Sequence, residues 1–252
     1  IWAGQNSVLN ELRSYGDLAL FYGLGEEYAA EVYGGFRDWE NFTETTFESY
    51  AVFGQFDYQL SDTLTLTAGA RYTDESHDFA GCSRDLNGDT NIFQVWNFAF
   101  GTELGAGDCG TFDSDTGAPV GPEGAKKVLD EDNVSWRVAL DWQPSDDMLL
   151  YGSISQGFKS GSFPQISANA SAQLDPANQE ELLAYELGAK VSPSDMVAFD
   201  GAVYYYDYQD YQVFQFIGTS GAVFNVDAEY KGLEAEVFAS PSENLDLMFG
   251  LG

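Results

Sequence analysis

The chain has 252 residues, room for one large β domain or two ordinary ones, with 44% hydrophobic and 15% aromatic content. Its 41 acidic side chains against 10 Lys and Arg give a formal charge of -31, which argues against nucleic acid as a partner because phosphates attract cations. The apolar content can bury a core and so does not mark disorder; no run of about 18 consecutive apolar residues makes a transmembrane helix, while a barrel built of strands stays open.

Residues 1–46 carry the weakest pattern. Asn10 to Phe21 has mixed helical spacing, and Tyr28 to Asp38 suits a short strand or a loop. The segment is expected to be a loop leading into the first strand. Phe47 to Phe79 is far clearer. Tyr50, Val52, Phe56, Tyr58 and Leu60 share one parity, opposed by Ser49, Ala51, Gln55, Asp57 and Gln59, with Phe53 the exception. Leu64, Leu66, Ala68, Ala70 and Tyr72 then repeat the pattern against Thr63, Thr65, Thr67, Gly69, Arg71 and Thr73. Period-two alternation predicts strands with one apolar and one polar face. The turn at Ser61-Asp62 is short enough only for an antiparallel hairpin. Such strands exceed the usual length of about 5–6 residues and suit a tilted bilayer crossing of about 9–11.

Residues 80–132 are rich in Gly and Asp and are expected to be a long extracellular loop, since a structureless insertion of this size is rare in a compact soluble domain. Both cysteines, Cys82 and Cys109, lie in it. They point to a disulfide closed in an oxidising compartment, with two free thiols or a metal pair as the alternatives; no His accompanies them, which argues against zinc. From Asn133 to Gln143, Val134, Trp136, Val138, Leu140 and Trp142 alternate with polar residues, and Pro144-Ser145-Asp146-Asp147 turns the chain. Met148 to Phe158 is a strand whose facing the pattern leaves unsettled. A second long loop covers Lys159 to Glu181, before Leu183, Tyr185, Leu187, Ala189 and Val191 set up the next strand. Ser192-Pro193-Ser194-Asp195 turns into a Tyr-rich strand from Val197 to Phe216, a short turn at 217–222 leads to the return strand Val223 to Ala239, and Pro241-Ser242-Glu243-Asn244 opens the last strand.

Eight strands result. Tight polar turns at 61, 144, 193 and 241 alternate with longer connections at 80–132, 159–181 and 217–222. This sorting predicts an all-β fold: an antiparallel transmembrane β-barrel segment with short periplasmic turns, long extracellular loops, polar residues inward and apolar residues outward. The chain opens on Ile1-Trp2 without a signal sequence and stops inside a strand. Open edges are not tolerated in lipid, so a piece of a longer protein is expected.

Charges on the polar parities, Asp57, Arg71, Arg137, Asp141, Glu186, Lys190, Glu234 and Glu236, are candidates for the lumen wall. They either pair across strands or meet substrate or another part of the protein. Asp85, Asn87, Asp89 and Asn91 place oxygen donors at every second position, as calcium loops do. The glycine falls at the fourth position rather than the sixth and no Glu stands at the twelfth, which favours a plain polar turn. Phe93, Trp96, Phe98, Phe100 and Phe163 are loop aromatics that either stack on a ligand or pack the loops. Catalysis is not expected: His77 is the only histidine and no nucleophile has an evident base.

Three segments carry a resemblance. The run from Tyr151 to Gly161, YGSISQGFKSG, resembles the YxSxSxGFKxG passage of TonB-dependent outer-membrane receptors. Leu174-Asp175-Pro176 followed by YELGAK from Tyr185 to Lys190 resembles that family's L-x-PE and YE-x-G-x-K segments. NVDAEYKGLEAE from Asn225 to Glu236 is similar to its N-x-x-x-A-x-x-x-G-x-E-x-E strand. One departure is Asn178-Gln179-Glu180, which displaces the acid usual directly after the Pro. The resemblance covers residues 47–252 and implies about eight strands of a 22-stranded barrel, with the plug domain absent from this stretch. It further implies active uptake of a scarce ligand, such as a ferric siderophore or similar iron complex, in the outer membrane of a Gram-negative bacterium. The partners implied are outer-membrane lipid and, through the plug, the TonB-ExbB-ExbD energy-coupling complex; no cofactor is implied. A passive porin is the rival expectation, and a secreted adhesive β-sandwich a third.

Overall fold

Four two-residue turns, at 62–63, 146–147, 195–196 and 243–244, fold the chain into hairpins, as tight turns between alternating runs must. The computed structural model describes residues 39–252 except 86–90, 167 and 218–219. Its strands are β1 (Trp39–Ser61), β2 (Leu64–Asp85), β3 (Ala125–Ser145), β4 (Met148–Lys159), β5 (Glu180–Ser194), β6 (Val197–Ile217), β7 (Ser220–Ser242) and β8 (Leu245–Leu251). Each pairs antiparallel with the next in chain order, in one eight-stranded sheet that does not close on itself.

Two expectations require correction. The lead-in to residue 46 is not all loop: β1 begins at Trp39, and Trp39 to Thr46 pair with Asp78 to Asp85. Thr, Glu and Asn fill both parities there, so the partner strand supplies an order that alternation does not. The stretch 80–132 is neither wholly loop nor structureless. β2 continues to Asp85, β3 starts at Ala125, and a helix α1 (Asn91–Phe100) lies between them. The readings at Asn10–Phe21 and Tyr28–Asp38 lie outside the described residues.

The registers settle which residues share a face. Asp57 opposes Thr67, Thr67 opposes Ala139, Ala139 opposes Ser153, Ser153 opposes Glu186, and Glu186 opposes Tyr204. Side chains directly opposite in a ladder point the same way, so this row defines a polar face. Ile154 lies between Val138 and Tyr185 on the other face, which resolves the strand whose own pattern was mute.

The apolar face bears a belt running from Leu64 to Tyr72 on β2 and from Val134 to Trp142 on β3. Its height suits a tilted crossing of about 9–11 residues. Tyr72 and Val134, directly opposite one another, close the belt at its upper end. Beyond it, Glu48, Asp74, Asp130 and Asp132 occupy the same face. Leu187 and Phe56 are 64% and 59% exposed, because no second layer of described residues covers this face. Apart from Ala139, the buried hydrophobic residues sit in and beneath the loops, among them Phe79, Phe93, Trp96, Ala125, Ala168 and Leu174.

Candidate functional site

The two long connections fold together into a cap. Cys82 at the end of β2 is disulfide-bonded to Cys109, with an S–S distance of 1.95 Å. Gly110 N–H donates to Ser83 O at 2.7 Å. A buried polar ring then joins three segments. Ser83 N–H donates to Thr111 Oγ1 (3.1 Å), the Thr111 hydroxyl donates to Ala168 O (2.6 Å), and Ala168 N–H donates to Ser83 Oγ (2.9 Å). Ser83 and Thr111 are fully buried, so breaking one bond leaves its partner desolvated at a cost of about 1–3 kcal/mol. Phe112 N–H bonds Asn169 O at 2.9 Å, and Ser171 N–H bonds Phe112 O at 2.7 Å. The first loop and the second therefore form one body.

That body lies over the polar face. Phe79 stacks on Phe163 with ring centroids 4.6 Å apart, and with Ala125, Ala168 and Leu174 it forms the core of the cap. Gly161 N–H donates to Glu131 at 2.8 Å, Ser160 hydrogen-bonds Glu75, and Lys127 pairs with Asp175 at 2.5 Å. Glu75 opposes Glu131 and Phe79 opposes Lys127, on the parity that carries Arg71 and Arg137 lower in the sheet. At the far side, Gln212 Nε2 donates to Ser160 O (2.9 Å) and Asn178 O (3.0 Å), and its N–H donates to Glu180 (3.1 Å). Glu180 is buried and also accepts Lys159 at 3.2 Å.

All eight charges singled out from the sequence fall on this polar face. Lys190 pairs with Asp200 at 3.4 Å, Glu186 accepts the Tyr151 hydroxyl at 2.8 Å, and Asp57 accepts the Thr67 hydroxyl at 2.7 Å. Asp141 opposes Thr65 and Tyr151, while Glu234 and Glu236 oppose Ala202 and Asp200. Arg71 Nε donates to Thr73 at 3.1 Å, and no described carboxylate pairs with Arg71 or Arg137.

Sequence reasoning missed a tyrosine cluster above these charges. Tyr204 stacks on Tyr206 with centroids 4.7 Å apart, and Tyr208 meets Tyr211 and Tyr230 edge-on at 5.2 and 5.5 Å. The run from Tyr204 to Tyr208 was visible, but parity sends Tyr208 and Tyr211 to opposite faces. A bulge reunites them. Tyr208 opposes Ala228 and Tyr211 opposes Val226, leaving Gln209 and Asp210 against Asp227. Asp210 takes φ 53°, a conformation Asp tolerates better than most side chains.

The loop aromatics divide. Phe93 and Trp96 are buried with centroids 5.6 Å apart, and Trp96 packs edge-on against Phe112; they fill the cap. Phe163 is held in its core by Phe79. Phe98 and Phe100 are exposed, with Phe100 also against Phe112. Of the calcium candidates, Asp85 ends β2 and Asn91 opens α1, but the side chains of Asp85, Asn87, Asp89 and Asn91 lie outside the described residues. Among the described residues no group of three His, Cys, Asp or Glu is placed to hold a metal. Within the cap, Asp113 accepts Thr116 N–H (2.8 Å) and Oγ1–H (2.7 Å), which holds its carboxyl below the usual range.

Comparison with known proteins locates the sheet. Residues 2–252 match the family described as TonB dependent receptor-like, beta-barrel. Among solved structures the chain is similar to the ferric yersiniabactin uptake receptor of Yersinia pestis, with TM-score 0.58 and 17% identity over 82% of this chain and 26% of that one. The copper transporter OprC aligns with TM-score 0.54 and 16% identity, covering 82% of this chain and 30% of that one. The ferric-catecholate import receptor Fiu of E. coli K12 aligns with TM-score 0.52 and 11% identity, covering 80% and 26%. At these identities the likeness is one of fold, and the chain spans little more than a quarter of those proteins' lengths.

Proposed function

Because the chain belongs to the TonB-dependent receptor-like β-barrel family, we propose that it forms part of the wall of an outer-membrane active transporter for a scarce ligand, a ferric siderophore or similar iron complex. Receptors of this family are outer-membrane proteins of Gram-negative bacteria. On this reading the apolar belt meets lipid, the polar face lines the lumen, and the TonB-ExbB-ExbD complex supplies energy through a plug domain. The observation that carries it is the cap. Two loops, the first closed by a disulfide and tied to the second by a buried polar ring, fold over the polar face beside a half-exposed tyrosine cluster. Loops held on a rigid sheet are where recognition residues collect, and aromatic rings offer a ligand area at low entropic cost.

The test is uptake of radiolabelled iron by cells expressing the complete protein, supplied in turn as hydroxamate, catecholate and carboxylate complexes. Uptake of at least one complex should require both the protein and an intact TonB system. Iron entry and small-solute leakage that persist without TonB would replace the receptor with a passive channel.

A further inference from the structure

We propose that Arg71 and Arg137 form an anion-binding cradle on the polar wall, taking a carboxylate or phosphate group. The cation inventory motivates it. Arg84, Lys126, Lys127, Lys159 and Lys190 are ion-paired with Glu40, Glu123, Asp175, Glu180 and Asp200. Apart from Lys231, which opposes Tyr205 on the apolar face, Arg71 and Arg137 are the described cations without a carboxylate partner. They are also neighbours. Arg71 opposes Ser135 and Arg137 opposes Gly69, a diagonal offset of roughly 7–8 Å between backbones.

The surroundings select an anion. Across the ladders and along the diagonals, Arg71 faces Phe53, Ala51 and Gln55 on β1 and Ser135 and Asn133 on β3. Arg137 faces Gly69 and Thr67 on β2 and Ser155 and Ser153 on β4. In a chain with 41 acidic residues, none of these positions carries a carboxylate. Structural ion pairs would put one there, as the sheet does at Lys190 and Asp200. Instead hydroxyl and amide residues hold most of these positions, and Gly69 puts no side chain of its own between the two arginines, with Gln55 Cβ 3.4 Å from where its Cβ would stand. A Cβ added at Gly157, the next residue on this face beyond Ser155, would meet nothing within 4 Å. Two like charges side by side repel, and an anion seated between them removes that cost. The guanidinium fork matches the two oxygens of a carboxylate or phosphate.

The cradle rests on the reading of this face as the lumen wall. The anion is either a group on the transported ligand or an acidic side chain of the same protein lying inside the barrel. Both arms are tested on the full-length receptor in detergent. Citrate and inorganic phosphate are titrated calorimetrically, and melting is followed by heat-dependent electrophoretic mobility, for the wild type, R71Q/R137Q and K231Q. A ligand source predicts binding of at least one probe, weakened about tenfold or more in R71Q/R137Q and unchanged in K231Q. An internal carboxylate predicts no binding of either probe, with R71Q/R137Q melting at least about 2–4 °C lower and K231Q melting with the wild type. Probe binding that ignores both arginines, or no binding with unchanged or raised melting in R71Q/R137Q, overturns the cradle. A wild type that shows no heat-dependent barrel species fails the lumen reading itself, and the cradle with it.

Discussion

Removing the Cys82–Cys109 bond by C82A/C109A in the full-length protein should loosen the cap and leave the sheet intact. The bond spans a sequence separation of 27. In the chain-entropy model a ring of that size raises the free energy of the open chain by about 3.6 kcal/mol. That is a ceiling for local opening. The β2–β3 ladder persists up to Gly81 and Ala125, so the opened loop is already confined and the bond subtracts less entropy from it. An effect of roughly 1.5–3 kcal/mol remains, which corresponds to about 10- to 150-fold in the opening equilibrium. Hydrogen exchange reads it directly at the amides of Gly110, Phe112 and Val120, which bond Ser83 O, Asn169 O and Thr111 O. Their exchange should accelerate by that factor, while the amides of Leu66 to Tyr72 keep their protection. Exchange within twofold of wild type at all three amides would refute the reasoning. It would mean that the Ser83–Thr111–Ala168 ring holds the cap without the covalent bond.

Ile154 and Ser153 are adjacent but lie on opposite faces. Ile154→Arg should cost about 2–4 kcal/mol near the bilayer midplane and reduce membrane-inserted, heat-modifiable protein, whereas Ser153→Arg should assemble normally. Equal assembly of both would invalidate the assignment of faces. Gly161→Ala places a Cβ against Ala177 O and within 2.7 Å of Glu131 Oε1 and Leu129 Cδ2. It should destabilise the second loop by about 1–3 kcal/mol, read as faster proteolytic nicking between residues 159 and 180. Asp113 has a folded pKa below its unfolded one, so its contribution to the turn at 113–118 is present above the ordinary carboxylate pKa. It is lost as pH falls through the depressed value. After correction for intrinsic exchange, the Thr116 amide should be protected at pH 6 and lose protection toward pH 3. Asp113→Asn should flatten that dependence.

Alternation in Leu64–Tyr72 and Asn133–Gln143, together with polar pairs such as Asp146-Asp147, determined the strands, the hairpins and the belt, because period two and turn chemistry are local. The polar parity of the eight charges was legible for the same reason. Three features were not. Met148–Phe158 mixes small and apolar residues on both parities, so only its ladders with β3 and β5 decide its face. The bulge at Gln209-Asp210 shifts register by one residue, and only pairing with β7 brings Tyr211 to the side of Tyr208 and Tyr230. The cap is the furthest from local rules. Phe79, Leu174, Ser83 and Thr111 come together across up to 95 positions of sequence, and helix α1 with Phe93 and Trp96 is ordered in a stretch whose Gly and Asp content reads as loop. The sequence alone shows which residues alternate. Which of them meet across the sheet, and which arginines are left without a carboxylate, depends on non-local pairing that only the tertiary structure decides.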